Sequence, residues 1–237
     1  MKNLREYTMA RVGLGRAGNS VCVKDMLAFQ LAHARARDAV HYPLDAGALV
    51  RELGDAVSLQ SAARSRAEYL RRPDLGRRLS EDSRARVAAL AGEYDAAFVV
   101  ADGLSALAVH RHAPALLRAL PQAALRIAPV MVVEQGRVAI GDEVGALLGA
   151  ALVVVLIGER PGLSSPDSLG AYHTWAPRPG RTDAERNCIS SIRPEGLSVD
   201  AAAQLLGLLI TAARTQRLSG IGLTPAGKPD CEIEGSL

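Results

Sequence analysis

The sequence has few aromatic residues, and it lacks the composition of a nucleic-acid-binding protein. Two Phe, one Trp and five Tyr amount to 3% of its 237 residues. A platform that stacks the bases of single-stranded nucleic acid needs aromatic side chains interleaved with basic ones, and the sequence contains no such pattern. The 28 basic and 25 acidic residues leave a formal net charge of only +3. We therefore expect no nucleic-acid partner.

Cysteine is scarce as well. The three cysteines, Cys22, Cys188 and Cys231, are odd in number and far apart, and no Cys-x-x-Cys pair occurs. This pattern indicates neither a disulfide framework nor a zinc ribbon. Only His110 and His112 are neighbouring histidines, and they lack a second ligand pair, so we predict no metal site.

Long hydrophobic segments are also missing. The longest apolar run covers residues 144–158, and a membrane-spanning helix needs about 18 such residues. The first residues, Met-Lys-Asn-Leu-Arg-Glu, contain no apolar signal core. We therefore expect a cytoplasmic protein with no membrane attachment and with reduced thiols.

The sequence is otherwise that of an ordinary globular protein, with 49% hydrophobic and 22% charged residues. A complete (β/α)8 barrel typically needs about 250 residues. The chain is therefore too short to hold such a barrel together with a separate cofactor domain. We predict a mainly helical region over residues 1–95, an α/β domain over residues 96–224 and a disordered tail over residues 225–237.

The hydrophobic spacing predicts helices over residues 23–37, 44–53 and 81–90, the last one capped by Ser80, with Ser83 as the alternative cap. From residue 96 onwards, apolar strands alternate with helices. One helix is predicted over residues 106–120 with Ser105 as its cap, and the final helix covers residues 199–217. The strands are predicted over residues 96–101 and 151–157, and extended segments over residues 125–133 and 137–140. Uninterrupted apolar strands favour a mostly parallel sheet with helices on both faces, which is a Rossmann-like α/β fold.

Two polar turns follow the predicted buried strands, at residues 102–105 and 158–162. In parallel sheets, ligands bind beyond the carboxyl ends of the strands. Glu159 lies in the second turn, where its carboxylate could accept hydrogen bonds from a ligand and where the neighbouring Arg160 favours the ionised form. The alternative interpretation is a structural ion pair. Cys188, taken alone, is typical of a small packed residue.

Two other motifs suggest alternative functions. Gly13, Gly15 and Gly18 match the G-x-G-x-x-G pattern of dinucleotide-binding enzymes, which requires a preceding strand and an acidic residue at the end of the next strand. Asp38 has roughly the right spacing but follows a helix-like segment. Residues 64–86 contain eight arginines mixed with acidic residues. They form either a docking surface for a partner or an anionic ligand, or a solvated helical face.

No catalytic constellation is evident in the sequence. We find no Ser-His-Asp order, P-loop, His-Glu-x-x-His motif or paired-carboxylate pattern, and the turn at residues 102–105 lacks the frame of a nucleophile elbow. We therefore predict ligand-binding turns without catalytic residues.

Seven short motifs occur in an order that resembles the small (light) subunit of ethanolamine ammonia-lyase. They lie at residues 10–18 (Ala-Arg-Val-Gly-Leu-Gly-Arg-Ala-Gly), 72–77 (Arg-Pro-Asp-Leu-Gly-Arg), 101–105 (Ala-Asp-Gly-Leu-Ser), 136–138 (Gly-Arg-Val), 157–163 (Ile-Gly-Glu-Arg-Pro-Gly-Leu), 186–190 (Arg-Asn-Cys-Ile-Ser) and 219–221 (Ser-Gly-Ile). Each motif is modest alone, but seven in this order are specific. The resemblance covers about residues 8–224.

The resemblance implies a Rossmann-like small subunit that pairs with a (β/α)8 large subunit in a hetero-oligomer. Adenosylcobalamin would lie between the two, and the large subunit would carry the substrate and the catalytic residues. The complex would convert ethanolamine into acetaldehyde and ammonia by a radical mechanism. The small subunit would be inactive alone.

The cofactor contacts of the family fall on Val138, Glu159 and Cys188, and all three residue types match. A corrinoid fringed with amides needs a broad surface with a few polar anchors. The sequence lacks the Asp-x-His-x-x-Gly motif of the methionine-synthase type, so the resemblance implies no protein histidine on cobalt. Many relatives carry a longer N-terminal extension linked to packaging in a bacterial microcompartment. In this sequence the resemblance begins at about residue 8, so we do not expect encapsulation through this subunit.

Overall fold

The computed structural model describes residues 10–121 and 125–223. The helices are α1 (Val23–His41), α2 (Ala46–Leu53), α3 (Arg66–Arg71), α4 (Glu81–Ala88), α5 (Ala106–Ala119), α6 (Ile140–Leu148) and α7 (Val199–Gln216). The strands are β1 (Arg16–Ala17), β2 (Ser20–Val21), β3 (Ala56–Gln60), β4 (Tyr94–Ala101), β5 (Val130–Glu134), β6 (Ala150–Gly158), β7 (Leu169–Trp175) and β8 (Arg186–Ile192). Short 3-10 turns occur at Leu75–Arg77, Asp183–Glu185 and Gly220–Gly222.

A mixed sheet of six strands, in the order β3-β5-β4-β6-β7-β8, organises the molecule. The strands β3, β5, β4 and β6 are mutually parallel, whereas β7 is antiparallel to both β6 and β8. The predicted α/β class is confirmed. The sheet differs from the predicted mostly parallel one beyond β6, where β7 and β8 are added as antiparallel strands. The connections from β6 to β7 and from β7 to β8 contain no crossover helix, which a parallel pair of consecutive strands needs. The finer Rossmann-like arrangement stays a prediction.

The order of the strands reverses at the centre of the sheet. After β4 the chain crosses to β5 on one side, and it then returns to form β6 on the other side. The carboxyl ends of β4 and β6 therefore lie side by side, and the segments that follow them are in contact, because the Leu104 amide donates to the Gly158 carbonyl over 2.9 Å. In open α/β sheets such a reversal opens a crevice in which ligands bind.

The hydrophobic core has two layers, one on each face of the sheet. Along β4 the side chains alternate: Ala96, Phe98 and Val100 pack on the face covered by α2, α5 and α7, and the intervening residues pack on the face covered by α4 and α6. This period of two follows from the pleat of a strand. The apolar run at residues 144–158 forms the end of α6 and the central strand β6. Within the described residues, no helix has the length and apolar character needed to cross a membrane.

Serine side chains begin several of the helices. Ser80 accepts a hydrogen bond from the Ser83 amide at the start of α4, and Ser105 accepts one from the Ala108 amide at the start of α5. Both caps match the sequence prediction, because the capping signal is local. The extended segment predicted over residues 137–140 is wrong. Residues 138–139 form a turn, and α6 begins at Ile140.

The region predicted to be mainly helical contributes a strand to the main sheet, because β3 pairs with β5. The proposed division between residues 1–95 and 96–224 stays a prediction. The predicted tail over residues 225–237 lies outside the described residues.

Candidate functional site

A cavity of about 390 Å³ lies at the carboxyl ends of the central strands, where the strand order reverses. Residues that follow β4, β5 and β6 line it together with side chains from α3, β7 and β8. The lining residues are Tyr69, Gly103, Leu104, Arg137, Val138, Ile157, Gly158, Glu159, Arg160, Tyr172 and Ser190. Val138 and Glu159, both implied by the resemblance, therefore share one cavity.

Glu159 directly follows β6, and three hydrogen bonds hold its carboxylate. The hydroxyls of Ser168 and Ser190 donate to it over 2.5 Å each, and the Ser191 amide donates over 3.1 Å. Gly170 has no side chain to crowd it; a Cβ at that position would lie 3.1 Å from the Glu159 Oε1 atom. The carboxylate therefore joins the ends of β6, β7 and β8 in a fixed orientation.

The ion pair between Glu159 and Arg160 that the sequence suggested does not form within the described part of the chain. The Arg160 side chain is exposed at the rim of the cavity. The serine hydroxyls and the Ser191 amide satisfy the Glu159 carboxylate instead. Serine donors can hold a carboxylate at the edge of a sheet without neutralising its charge.

Val138 stands at the turn between β5 and α6 and packs partly against the core. The preceding Gly136 is held at both of its backbone groups. Its amide donates to Asp102 Oδ1 over 3.0 Å, and its carbonyl accepts a hydrogen bond from the Tyr69 hydroxyl over 3.1 Å. The Arg137 amide donates to the Gly76 carbonyl over 2.7 Å. These contacts position the turn that presents Arg137 and Val138 to the cavity.

Asp102 is a buried anchor at the end of β4, with only 2% of its surface exposed. The Arg66 guanidinium lies 3.4 Å from the Asp102 carboxylate and also donates to the Gly103 carbonyl over 2.8 Å. Burial raises the pKa of the Asp102 carboxyl to about 6, although Arg66 and backbone amides favour its ionised form. Asp102 thus ties α3 to the turns after β4 and β5.

Tyr69 lies between two arginines. The guanidinium carbon of Arg137 is 4.3 Å from the centre of the Tyr69 ring, and that of Arg66 is 4.8 Å from it. Both distances are within the range of cation–π attraction. Because burial raises the pKa of the Tyr69 hydroxyl, the ring stays neutral. Tyr69 therefore supports the Arg137 side chain at the wall of the cavity.

Cys188 lies beside the cavity but not in its wall. It pairs in register with Tyr172, whose side chain lines the cavity. Partial burial raises the pKa of the Cys188 thiol, although the residue as a whole is exposed. A neutral thiol is a poor nucleophile and a poor metal ligand. Cys188 therefore offers a small packing surface next to the site.

Two glycines let the strand ends approach one another. A Cβ at Gly103 would overlap the Gly158 carbonyl, and a Cβ at Gly158 would overlap the Ser105 carbonyl. Gly103 also has a φ of +53°, a conformation that side chains disfavour. The floor of the cavity is therefore backbone, which leaves room for a ligand between the walls.

The glycine motif does not form a dinucleotide site, whereas the docking role of residues 64–86 stays a prediction. Gly13 and Gly18 belong to the segment around the small β1–β2 hairpin, residues 10–12 are not a strand, and Asp38 lies within helix α1. A dinucleotide fold needs a strand before the glycines and an acidic residue at the end of the next strand, so that interpretation is wrong. The arginines of residues 64–86 are partly paired with acids: Arg66 with Asp102, Arg72 with Asp74, Arg78 with Asp74, and Arg84 with Glu143.

Sequence reasoning missed Tyr69, Arg137 and Tyr172. None of them belongs to a motif with a general chemical meaning, and each reaches the cavity from a different element. One signal was available for Arg137, which is the middle residue of the family motif at residues 136–138. In the described ranges 10–121 and 125–223, no group of three or more His, Cys, Asp or Glu side chains could hold a metal ion.

The fold and the site define an α/β ligand-binding protein whose cavity lies at the carboxyl edge of its parallel strands. The comparisons assign the family. Residues 1–224 match the family described as ethanolamine ammonia-lyase light chain (EutC). The chain belongs to this family, which takes its name from a lyase.

Three relatives that are named ethanolamine ammonia-lyase small subunit illustrate the similarity. The chain is 56% identical to the protein of Rhodopseudomonas palustris (strain BisA53), over 100% of this chain and 92% of the relative. It is 56% identical to that of Azotobacter vinelandii, over 94% and 87%. It is 55% identical to that of Ralstonia nicotianae, over 95% and 88%. The name of these relatives implies that each of them has a large subunit as its partner.

Proposed function

We propose that this chain is the cofactor-binding small subunit of an ethanolamine ammonia-lyase. It would hold adenosylcobalamin against a (β/α)8 large subunit, and the complex would convert ethanolamine into acetaldehyde and ammonia in the cytoplasm. The observation that carries the proposal is that Val138 and Glu159 line one cavity at the reversal of the strand order. Membership of the family supports a corrinoid as the ligand of this cavity.

The residues of the cavity fit part of a corrinoid. Such a ring carries amide groups on its edge and apolar methyl groups on its faces, and the cavity offers a carboxylate, two arginines, apolar side chains and a glycine floor. Pockets that enclose drug-sized ligands measure about 300–1,000 Å³. Cobalamin is larger than a drug, so a cavity of about 390 Å³ covers only one edge of it. The rest of the cofactor would contact the large subunit.

The residues of this chain bind and orient the cofactor. Glu159 accepts hydrogen bonds from ligand amides or hydroxyls, because Ser168, Ser190 and Ser191 aim its carboxylate without removing its charge. Val138 gives an apolar contact, and Cys188 packs beside Tyr172 as a neutral thiol. Adenosylcobalamin, when bound, supplies a cobalt–carbon bond that breaks homolytically and starts the radical chemistry. The ethanolamine-binding and catalytic side chains belong to the large subunit.

Reconstitution tests the proposed function. The purified chain, the large subunit, adenosylcobalamin and ethanolamine are combined, and the release of ammonia is measured with each component omitted in turn. We expect ammonia only when both subunits and the cofactor are present. Full ammonia release by the large subunit in the absence of this chain would contradict the proposal.

Glu159→Ala tests the polar anchor. Loss of the carboxylate removes an acceptor for the ligand and the link between β6 and β8, so cobalamin binding to the complex should weaken by about 1–3 kcal/mol. Glu159→Gln, which keeps an oxygen acceptor, should weaken it less. Glu93→Ala, at an exposed glutamate outside the cavity, serves as the control. Equal cobalamin affinity in all four proteins, measured by absorbance titration, would remove Glu159 from the site.

A further inference from the structure

Arg66 joins three segments that are distant in the chain. Its Nε atom donates to the Val40 carbonyl in the last turn of α1 over 2.7 Å. Its Nη1 atom donates to the Gly103 carbonyl, after β4, over 2.8 Å and to the Gln135 side-chain oxygen, after β5, over 3.3 Å. The side chain is only 17% exposed. One largely buried guanidinium therefore connects the end of α1 with two turns at the carboxyl edge of the sheet.

The two residues that Arg66 holds in these turns share an uncommon backbone conformation. Gly103 has a φ of +53° and Gln135 has a φ of +56°, and both values lie in the left-handed region. Glycine adopts this conformation at little cost, whereas a residue with a Cβ is strained in it. Such strain persists only where surrounding contacts fix the backbone. Gln135 therefore needs contacts from outside its own turn, and Arg66 supplies one of them.

The rest of the turn depends on the backbone of Gln135. The Gly136 amide donates to Asp102 Oδ1, and the Tyr69 hydroxyl donates to the Gly136 carbonyl. Val138 follows two residues later and lines the cavity. A change of φ at Gln135 would redirect the chain that follows it, because φ and ψ are the only soft dihedrals of each residue. The position of Val138 is therefore set where Gln135 is held.

We propose that Arg66 is a positioning residue for cofactor binding, which acts by holding Gln135 in the left-handed conformation. This inference rests on the proposed function, in which Val138 contacts adenosylcobalamin. Arg66 is not among the residues that line the cavity. The Asp102 carboxylate, 3.4 Å from Nη1, balances its charge. An arginine suits this position because its separate nitrogens serve α1 and the two turns at once, whereas a lysine has a single nitrogen.

The reconstituted complex tests this role by separating cofactor affinity from turnover. In Arg66→Met, the apparent KM for adenosylcobalamin should rise about tenfold, and kcat for ammonia release at saturating cofactor should stay unchanged. A merely structural residue would instead lower the amount of active enzyme, and therefore kcat, without raising KM. Arg66→Lys keeps the charge and should still have a raised KM. Arg71→Met, at an exposed arginine of the same helix, is the matched control and should behave as the wild type does.

A double-mutant cycle tests whether Arg66 acts through Gln135. Gln135→Gly removes both the contact with Arg66 and the strain, so the turn no longer depends on the guanidinium. In the Gln135→Gly background, Arg66→Met should therefore raise the KM for adenosylcobalamin less than about threefold, against about tenfold in the wild-type background. The same tenfold effect in both backgrounds would overturn the proposal, because residues that act independently have additive effects.

Hydrogen exchange in the full chain follows the turn without any cofactor. The Gly136 amide should exchange about tenfold faster in Arg66→Met than in the wild type and in Arg71→Met, whereas the amides of β6 should be unchanged. Equal exchange of Gly136 in the three proteins would overturn the proposal. Loss of protection in β6 would show that Arg66→Met fails to fold. Arg66→Lys then takes its place in every comparison, and a wild-type KM for Arg66→Lys would overturn the proposal.

The outcomes separate this inference from the proposed function. A wild-type complex that neither binds adenosylcobalamin nor releases ammonia contradicts the proposed function, and the positioning role falls with it. If the wild-type complex is active and Arg66→Met folds with the wild-type KM, only the positioning role is overturned. A lower kcat with an unchanged KM has the same meaning, because Arg66 would then support the fold and not the affinity for the cofactor.

Discussion

Asp102 and His173 are buried groups that titrate in the range where the protein can be studied. Asp102 lies at the end of β4 and anchors the turn that carries Val138. His173 lies in the middle of β7, is fully buried, and has no hydrogen-bond partner at either ring nitrogen within the described residues. Burial disfavours the charged form of each group, so it raises the pKa of the Asp102 carboxyl and lowers the pKa of the His173 imidazole.

Asp102 should make stability fall as the pH rises. Its pKa is about 6 in the folded protein against 3.8 for a free carboxyl, so the folded state binds the proton more tightly. The stabilisation is complete below pH 3.8 and is lost as the pH rises through 6, by up to about 3 kcal/mol. The free energy of unfolding of Asp102→Asn, measured by urea titration and taken relative to wild type, should therefore rise by up to about 3 kcal/mol between pH 4 and pH 7.5. Asp55→Asn, at an exposed position, is the control, and parallel curves for all three proteins would contradict the shift.

His173 should have the opposite effect. Its pKa is lowered from 6.5 to about 4, so the unfolded state binds the proton more tightly. The contribution of neutral His173 to the free energy of unfolding is complete above pH 6.5. It decreases by up to about 3 kcal/mol as the pH falls through 4. His173→Leu should therefore become progressively more stable than wild type on acidification. His33→Gln, at an exposed histidine, should follow wild type, and a pH-independent difference between His173→Leu and wild type would refute this account.

Individual side chains at the site were predictable only where a local pattern marked them. Glu159 stands directly after a run of apolar residues that reads as a buried strand, and Val138 and Cys188 came from the family motifs. Tyr69 gives no such signal. Its hydroxyl bonds to a backbone group 67 residues away, which no local pattern reports.

Among the elements, β8 and α6 are joined by a buried ion pair. The Arg186 guanidinium donates to both Asp142 oxygens, over 2.6 and 2.7 Å, and both residues are buried. Thr174 and the Arg181 carbonyl accept further hydrogen bonds from Arg186. The pair holds the edge strand, which carries Cys188 and Ser190, against the helix that follows Val138.

Arg186→Met should lower the free energy of unfolding by about 3–5 kcal/mol, because it leaves the Asp142 carboxylate buried and unpaired. The double variant Arg186→Met/Asp142→Leu should recover most of this loss, because it removes the buried charge as well. Chemical denaturation measures both. Arg126→Met breaks an exposed pair with Glu93 and should cost at most about 1 kcal/mol. A double variant as unstable as Arg186→Met would contradict the explanation.

The elements differ in how well the sequence predicted them. Helices α4 and α5 and strands β4 and β6 were predicted because serine caps and apolar runs are local signals. Strands β3, β7 and β8 were missed. In β7 and β8, polar residues such as His173, Thr174, Asn187 and Ser190 interrupt the apolar pattern, and pairing with the neighbouring strands decides their conformation.

At the scale of the whole molecule, the small cavity implies that the proposed cofactor would need two proteins. The isolated chain should bind adenosylcobalamin at least tenfold more weakly than the complex does, which corresponds to about 1.4 kcal/mol. The reason is that a cavity of about 390 Å³ can enclose only part of the ligand. Equilibrium dialysis of the chain, the large subunit and the mixture measures this. Equal affinity for the chain and the complex would show that this subunit encloses the cofactor alone.

The sequence by itself determined the α/β class and, through its ordered motifs, the family. These properties depend on residues that are close in the chain, such as a capping serine, an apolar strand and the turn that follows it. Only the tertiary structure decided which side chains share the cavity and which charges are left unpaired there. Tyr69, Arg137 and Glu159 lie far apart in the chain, and the crossing from β4 to β5 and back to β6 brings them together at one edge of the sheet.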